Sequence, residues 1–347
     1  MVKTQVYTFQ ISLDWQLMAL VSQIDRFDAS WSSIEKKEGQ SLKELKSIAT
    51  IRSVGASTRI EGSKMTDEEV DVLLKNIDIS KLSDRDSQEV AGYFEVLDLI
   101  SEAYSDIPIT ENSIKNLHKT LLKYSEKDVW HRGDYKQLSN AVEANLPDGT
   151  KQVIFRTTEP GIPTEEAMTE LITWFKKDKE THPLVKCALL AYDFVSIHPF
   201  QDGNGRLSRL LSTLALMKSG YQWVQYISLE HEIEHQKNKY YQTLRSCQAQ
   251  RPGEDATAWL HFFFQALIKI QTQLLNKLER QGVMAELAPK EKAILTFIGE
   301  HPGCKSGEIA ERLDIPNPTV KRLLAQMVKA NLVEKHGAGA GTNYSIL

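Results

Sequence analysis

Apolar residues recur at helical spacing along most of the chain. From Leu45 to Val54 they return every three positions within residues 41–62, which predicts an amphipathic helix that Gly62 ends. A long apolar run over residues 184–197 predicts a buried helix. The same patterns predict helices over residues 86–105, 111–124, 204–219, 229–248 and 256–280. The chain is therefore expected to be mainly α-helical.

One segment inside this helical region has the character of extended chain. Residues 139–156 contain two short extended runs on either side of Pro147, Asp148 and Gly149. Two such runs around a turn sequence predict a β-hairpin. Because a lone hairpin in a helical domain is rarely needed for the fold, we expect it to serve function.

The last sixty residues show a different order of elements. Helices are predicted over residues 289–301, 306–313 and 319–329, and the glycine-rich residues 337–341 predict the tip of a hairpin. This is the order of a winged helix-turn-helix. The sequence thus divides into a helical N-terminal region, a helical core and a winged helix-turn-helix, predicted over residues 1–110, 111–283 and 284–347.

Composition excludes several classes of protein. The 347 residues include 42 Lys and Arg against 46 Asp and Glu, a formal charge of −4, which excludes a globally basic nucleic-acid coating protein but not a local basic patch. Cys187, Cys247 and Cys304 form no CxxC pair, so a disulfide framework is not expected. We find no signal peptide and no apolar stretch of membrane-spanning length, and expect a cytoplasmic protein.

The residues with the clearest chemistry lie between positions 198 and 209. Pro199 ends the helix that precedes it, and Gly203 and Gly205 allow a tight loop that leads into the next helix. The N–H groups of such a loop, together with the positive end of a helix dipole, bind anions. The segment therefore predicts a phosphate site.

Charged side chains in the same segment predict the reaction. Arg206 and Arg209 are three residues apart on one helix face and suit a polyphosphate. Asp202 beside a phosphate requires a divalent cation between them, such as Mg²⁺. His198 titrates in the range that proton abstraction needs. Although a single His or Arg usually has a structural role, this combination within twelve residues predicts phosphoryl or nucleotidyl transfer.

Residues 198–209 read HPFQDGNGRLSR and match every fixed position of HPFx(D/E)GNGRxxR, so the chain resembles the Fic family. The resemblance reaches about residue 275 and implies a Fic-type helical core with a β-hairpin flap. It implies transfer of AMP from ATP to a Ser, Thr or Tyr hydroxyl of a target protein, with His198 as the catalytic base and Asp202 as the Mg²⁺ ligand. The ATP-binding residues that it implies here are Asp202, Gly203, Asn204, Gly205, Arg206 and Arg209.

The resemblance assigns roles to two further stretches. The hairpin takes the place of the family's flap, which holds the target by strand addition, and Asn140, Ala141 and Val142 are its candidate target-binding residues. Tyr240 resembles an aromatic residue of the adenine pocket, and Gln248 resembles a polar neighbour of the nucleotide. Ordinary helix packing is the alternative for both of the latter.

A second motif implies restraint of the activity. Residues 57–62 read STRIEG and match the pattern (S/T)xxxE(G/N) of many Fic proteins. In this chain Ser57 begins the motif. The resemblance implies that Glu61 pairs with Arg209, so that Arg209 is no longer available to the ATP γ-phosphate. Removal of AMP from the target with help from the same glutamate is a secondary hypothesis, and a homodimer that gates the restraint is left open.

Two other functions compete with this interpretation. His231, Glu232 and His235 fit the HExxH pattern of a zinc peptidase, but the surrounding residues are densely charged and no third ligand is evident. The winged helix, with Lys321, Arg322 and Lys329 on or near its third helix, is compatible with DNA binding, although winged helices also serve as protein-docking or dimerisation modules. With DNA binding, the chain would be a transcriptional regulator with a degenerate enzyme domain. The intact catalytic positions disfavour the regulator.

Overall fold

The computed structural model describes residues 2–76, 82, 84–145, 151–286, 288–330 and 332–346. Within them it contains fourteen α-helices and three antiparallel hairpins of two strands each. The strands are β1 Val2–Val6, β2 Phe9–Leu13, β3 Ala141–Asn145, β4 Lys151–Arg156, β5 Val333–His336 and β6 Asn343–Ile346. The helices are α1 Trp15–Lys37, α2 Gly39–Ile60, α3 Asp67–Lys75, α4 Arg85–Ala103, α5 Glu111–Leu121, α6 Ile162–Lys177, α7 Pro183–Ile197, α8 Asn204–Lys218, α9 Leu229–His235, α10 Lys237–Gln248, α11 Thr257–Glu286, α12 Pro289–Glu300, α13 Ser306–Arg312 and α14 Asn317–Lys329.

The chain forms two compact units, Met1–Leu274 and Leu275–Leu347. In the first unit, α7 and α8 are buried over almost their whole length and pack against each other. The prediction of a buried helix over 184–197 is therefore confirmed. The predicted region limits at residues 110 and 283 stay predictions.

Helix α2 brings the end of the N-terminal region into the core. It packs against α4 and α9, and Val54, Ala56 and Ser57 near its end are fully buried. The helix ends at Ile60 with Glu61 as its C-cap, and Gly62 follows with φ +111°, a conformation that glycine adopts without strain. The predicted glycine stop is thus present, and it aims the Glu61 side chain toward α8.

The hairpin predicted over residues 139–156 is formed by β3 and β4. They pair antiparallel from Ala141 opposite Arg156 to Asn145 opposite Lys151, with a shift in register after Val142. The predicted turn residues 147–149 lie outside the described residues.

The second unit has the predicted order of a winged helix-turn-helix. Helices α12, α13 and α14 are followed by the hairpin of β5 and β6. Its core is built by apolar residues from all of these elements, among them Ile294, Ile309, Leu324, Val333 and Tyr344.

The structure differs from the sequence predictions in two places. Residues 2–13, expected to be helical, form the hairpin of β1 and β2, which turns at Tyr7 with φ +57°. The helix predicted over 229–248 is two helices, because the backbone leaves helical geometry at Gln236. The described helices include none with the length and hydrophobicity of a membrane span.

Candidate active site

His198 lies where α7 ends, in a backbone conformation that is rare for a non-glycine residue. Its φ and ψ are 55° and 58°, in the left-handed region, which costs conformational energy and is common at functional sites. Its Nδ1 lies 3.2 Å from the carbonyl oxygen of Val195. A carbonyl accepts, so Nδ1 carries the proton and Nε2 keeps a free lone pair. Burial lowers the pKa of His198 to about 4, which keeps the ring neutral.

The loop after His198 is closed by Asn204. Its Oδ1 accepts from the Phe200 N–H at 2.9 Å, and its Nδ2 donates to the Phe200 carbonyl at 2.7 Å. The side chain is buried, and both its oxygen and its nitrogen take part in these bonds. Asn204 therefore shapes the loop with its side chain.

His118, which belongs to no motif in the sequence, packs against the loop that follows His198. Its Nε2 lies 2.9 Å from the Asp202 carbonyl, its Nδ1 accepts from the Gly133 N–H, and its ring stacks on Phe200 with 3.8 Å between centroids. Gly203 lies against this ring with φ +79°, a backbone conformation that favours glycine. Nothing local in the sequence links residue 118 to this loop.

The Asp202 carboxylate is ionised and about one third exposed. Burial would raise its pKa, but the charge of Arg206, the Gly203 N–H and Lys127 outweigh burial and lower the pKa to about 2. No group of three His, Cys, Asp or Glu among the described residues is arranged to hold a metal. A single ionised and partly exposed carboxylate, as at Asp202, fits a cation such as Mg²⁺ that takes its other ligands from phosphate and water.

Arg206 is buried and only partly paired. Its Nη2 lies 3.3 Å from Asp202 Oδ1, and its Nη1 lies 3.3 Å from Glu89 Oε2. Glu89, also buried, accepts from Arg85 Nε at 2.6 Å through its other oxygen. Within the described structure, Arg206 Nε and Nη1 have no hydrogen-bond partner. Unpaired buried donors are costly, so this guanidinium is suited to receive an anion.

Arg209 is held by the end of α2. Its Nε donates to Ser57 Oγ at 2.8 Å, and its Nη2 donates to the Ser57 carbonyl at 2.9 Å and to Glu61 Oε1 at 2.8 Å. Glu61 Oε1 also lies against Gly205, where a Cβ would collide with it. Although burial opposes it, the charge of Arg209 lowers the pKa of Glu61 and keeps it ionised. The carboxylate thus occupies the start of α8, where an anion would bind.

Arg59 fastens the segment that carries Glu61. Its Nε and Nη2 donate to the two oxygens of Glu234 at 2.7 and 3.0 Å, and Nη2 also lies 2.9 Å from Asp67 Oδ1. Its Nη1 donates to the Met65 carbonyl at 2.9 Å. No local pattern in the sequence indicates this network, because Arg59 and Glu234 are far apart in the chain.

The HExxH segment on α9 is used for other contacts. Glu232 pairs with Lys269 at 2.8 Å, and Glu234 holds Arg59. His235 Nδ1 lies 2.8 Å from the His231 carbonyl, within the same helix. The described residues therefore offer no zinc site here.

Tyr240 and Gln248 both make packing contacts. Tyr240 is 3% exposed and lies among the rings of Tyr241, Trp259 and Phe262, at 5.1 to 5.8 Å between centroids. Tyr241 is the more accessible of the two tyrosines. Gln248 Nε2 donates to Ser196 Oγ at 3.0 Å in the core. Their nucleotide-binding roles stay predictions.

Of the candidate flap residues, Asn140 is tied to the catalytic loop. Its Nδ2 donates to the Phe200 carbonyl at 3.0 Å, while its Oδ1 accepts from Lys136 and Thr157. Ala141 and Val142 begin β3 immediately after it. The structure thus places the start of the flap beside the segment that carries His198.

Comparison with known proteins identifies relatives of both units. Residues 108–216 match the sequence model of the Fic/DOC family, and residues 286–341 match that of the MarR family. "Protein adenylyltransferase Fic" of Drosophila yakuba is 28% identical over 218 residues, 62% of this chain and 40% of the relative. The protein of the same name from Drosophila virilis is 26% identical over 289 residues, 79% of this chain and 56% of the relative. The chain thus spans about half the length of these curated relatives.

The fold has a counterpart among solved structures. A Fic family protein from Desulfovibrio desulfuricans G20 superposes with a TM-score of 0.62 at 22% identity, covering 97% of both chains. Together with the family matches, this confirms the resemblance to the Fic family and the mainly helical fold that ends in a winged helix.

Proposed function

We propose that this chain, whose residues 108–216 match the Fic/DOC family, is a protein adenylyltransferase that transfers AMP from ATP to a Ser, Thr or Tyr hydroxyl of a target protein. The observation that carries the proposal is the position of a neutral His198, with Nε2 free, directly before a glycine-lined helix start that bears two buried arginines. The Drosophila relatives are named protein adenylyltransferase, which supports the same reaction.

In the proposed reaction, His198 Nε2 takes the proton of the target hydroxyl as its oxygen attacks the ATP α-phosphorus. The new oxygen–phosphorus bond forms while the bond to the bridging oxygen of the β-phosphate breaks, so pyrophosphate leaves and AMP remains on the target. The proton passes from His198 to solvent. The unpaired N–H groups of Arg206 and the N–H groups at the start of α8 stabilise the charge on the phosphates.

Asp202 would hold Mg²⁺ together with the phosphate oxygens. When bound, the ion neutralises negative charge on the leaving pyrophosphate. The low pKa of Asp202, about 2, keeps this carboxylate ionised at neutral pH.

Glu61 restrains the reaction by competing for the same groups. It forms an ion pair with Arg209 and lies against Gly205, so a triphosphate in the reactive pose would have to displace it. Arg209 is then unavailable to the γ-phosphate, and ATP binds with its α-phosphate out of line for attack. The charge-assisted bond of 2.8 Å supports this role.

The target is held by main-chain pairing with the flap. Among the described strands, β3 pairs only with β4, so the outer edge of the hairpin offers N–H and C=O groups to an extended segment. Ala141 and Val142, at the start of β3, are nearest in sequence to the loop contact made by Asn140. Main-chain pairing tolerates many target sequences.

The test is mass spectrometry of the Glu61→Gly variant incubated with ATP, Mg²⁺ and a cell lysate. We expect an AMP adduct on hydroxyl side chains, and none when His198→Ala is added to the same variant. Transfer of phosphate instead of AMP, or no adduct at all, would refute the proposal. Purified AMP-modified target, incubated with wild type and with Glu61→Gly, tests the secondary hypothesis of AMP removal.

We also propose that the C-terminal unit binds DNA. Residues 286–341 match the MarR family, and α14 exposes Lys321, Arg322 and Lys329 with no acidic residue in the helix. A gel shift with the full chain should weaken steeply as salt rises, because phosphate contacts release counterions. Lys321→Ala with Arg322→Ala should abolish the shift, and binding that ignores both salt and these substitutions would contradict the proposal.

A further inference from the structure

Lys136 is a buried lysine at the base of the flap. It is 2% exposed, and the charge that opposes the effect of burial on its pKa is that of Glu159. Its Nζ donates to Asn140 Oδ1 at 3.0 Å, to Thr157 Oγ1 at 2.8 Å and to the Ile197 carbonyl at 3.3 Å. These three acceptors use all three N–H bonds of the ammonium group. Burial lowers the pKa of Lys136 to about 8.

These bonds join both ends of the flap to the chain around His198. Asn140 directly precedes β3 and Thr157 directly follows β4. Thr157 Oγ1 lies 2.6 Å from Asn140 Oδ1 and 2.7 Å from the Asn140 carbonyl, so the two ends of the flap are also bound to each other. We call Lys136, Asn140 and Thr157 the flap clasp.

The other side of the clasp is the catalytic segment. Ile197, whose carbonyl accepts from Lys136 Nζ, is adjacent to His198. The main-chain N–H of Lys136 donates to the Pro199 carbonyl at 2.8 Å, and Asn140 Nδ2 donates to the Phe200 carbonyl. The flap is therefore bound to the residues immediately before and after the catalytic histidine.

We propose that Lys136 is a positioning residue that fixes the flap relative to His198. The hydroxyl of a target segment bound to the flap then lies within reach of His198 Nε2. The inference rests on the proposed adenylyl transfer. A buried ammonium with three acceptors resists displacement, because any movement of the flap leaves a desolvated charge without a partner. The flap clasp thus fixes the distance between a target segment bound to the flap and His198.

The charge of Lys136 also acts on His198. Besides burial, the charged groups that influence this imidazole are Lys136, Glu61 and Asp202, and Lys136 is the cation among them. Removing it favours the imidazolium, so the pKa of His198 should rise. A lysine that only filled space would not affect this titration.

The test compares Lys136→Met with Lys136→Arg in the Glu61→Gly background. In the methionine variant we expect the rate of hydrogen exchange in β3 and β4 to rise about tenfold. The KM for a target protein should rise by the same factor, since the loss of one hydrogen bond to a charged group has about this effect. The affinity for ATP should not change. In the arginine variant, exchange and target KM should return part of the way to the values of the Glu61→Gly parent. The pKa of His198, followed by NMR with His198→Ala for assignment, should rise in the methionine variant only.

Thr157→Val is the matched second variant, since it removes one partner of Nζ and keeps the charge. It should speed exchange in β3 and β4 and raise the target KM while the pKa of His198 stays unchanged. Unchanged exchange and unchanged His198 pKa in folded Lys136→Met would overturn the inference, as would loosened strands with an unchanged target KM. Exchange and NMR need no adenylyl transfer, so an inactive Glu61→Gly parent would count against the proposed function alone.

Discussion

Replacing Glu61 removes one specific competitor for Arg209, and the structure allows the effect to be calculated. The pair is joined by a bond of 2.8 Å between a guanidinium that is 3% exposed and a carboxylate that is 30% exposed. Hydrogen bonds to charged groups contribute about 1.5–3 kcal/mol. The partial exposure of Glu61 places the expected value near the lower limit, because solvent screens the pair.

A change of about 1.4 kcal/mol alters an equilibrium about tenfold. We therefore expect Glu61→Gln, which keeps the shape and loses the charge, to raise kcat/KM for ATP about tenfold. Glu61→Gly should raise it further, since it also vacates the space beside Gly205. Ser57 continues to bind Arg209 in both variants, so the guanidinium should keep its position.

The assay is incorporation of labelled AMP at several ATP concentrations, with calorimetric titration of ATP alongside. Equal incorporation by wild type, Glu61→Gln and Glu61→Gly would refute the reasoning. A thermal scan provides a second measurement. Without Glu61 the buried Arg209 loses a partner, so the variants should have a lower melting temperature than wild type when ATP is absent. ATP should raise the melting temperature of the variants more than that of wild type. An equal increase in melting temperature on addition of ATP in all three proteins would contradict competition between Glu61 and ATP.

Three further predictions follow from the site. Because burial lowers the pKa of His198 to about 4, the base stays neutral above that pH, and kcat/KM of the Glu61→Gly protein should fall only below about pH 5; a midpoint near the ordinary histidine pKa of 6.5 would contradict it. Glu89→Gln should weaken ATP binding about tenfold, because Arg206 loses its buried anchor, while Glu89→Asp should retain part of the affinity; identical calorimetric affinities would refute this. Arg59→Met should raise AMP labelling with Glu61 still present, because the end of α2 loses its bonds to Glu234, and labelling at the wild-type level would show that this anchor does not hold the restraint.

Local patterns in the sequence were sufficient for the main elements. The apolar spacing of α2, the buried run of α7 and the order of helices in the C-terminal unit predict their elements to within a few residues. The segment 198–209 contains its own loop, helix start and charged side chains, so a phosphate site could be proposed there from the sequence. The errors lie where spacing is ambiguous, as in β1 and β2, or where one helix breaks, as at Gln236.

Residues close together in the chain thus suffice to predict the helical fold class, the hairpin, the winged helix and a candidate phosphate site. The side chains that support this candidate site come from distant parts of the sequence, so folding alone selects them. Glu89 against Arg206, Glu234 against Arg59 and Lys136 between flap and loop join residues that are tens of positions or more apart. The physical reason is that burial makes these pairings necessary: a charge removed from water requires a partner, and packing, not spacing, determines which residue that is.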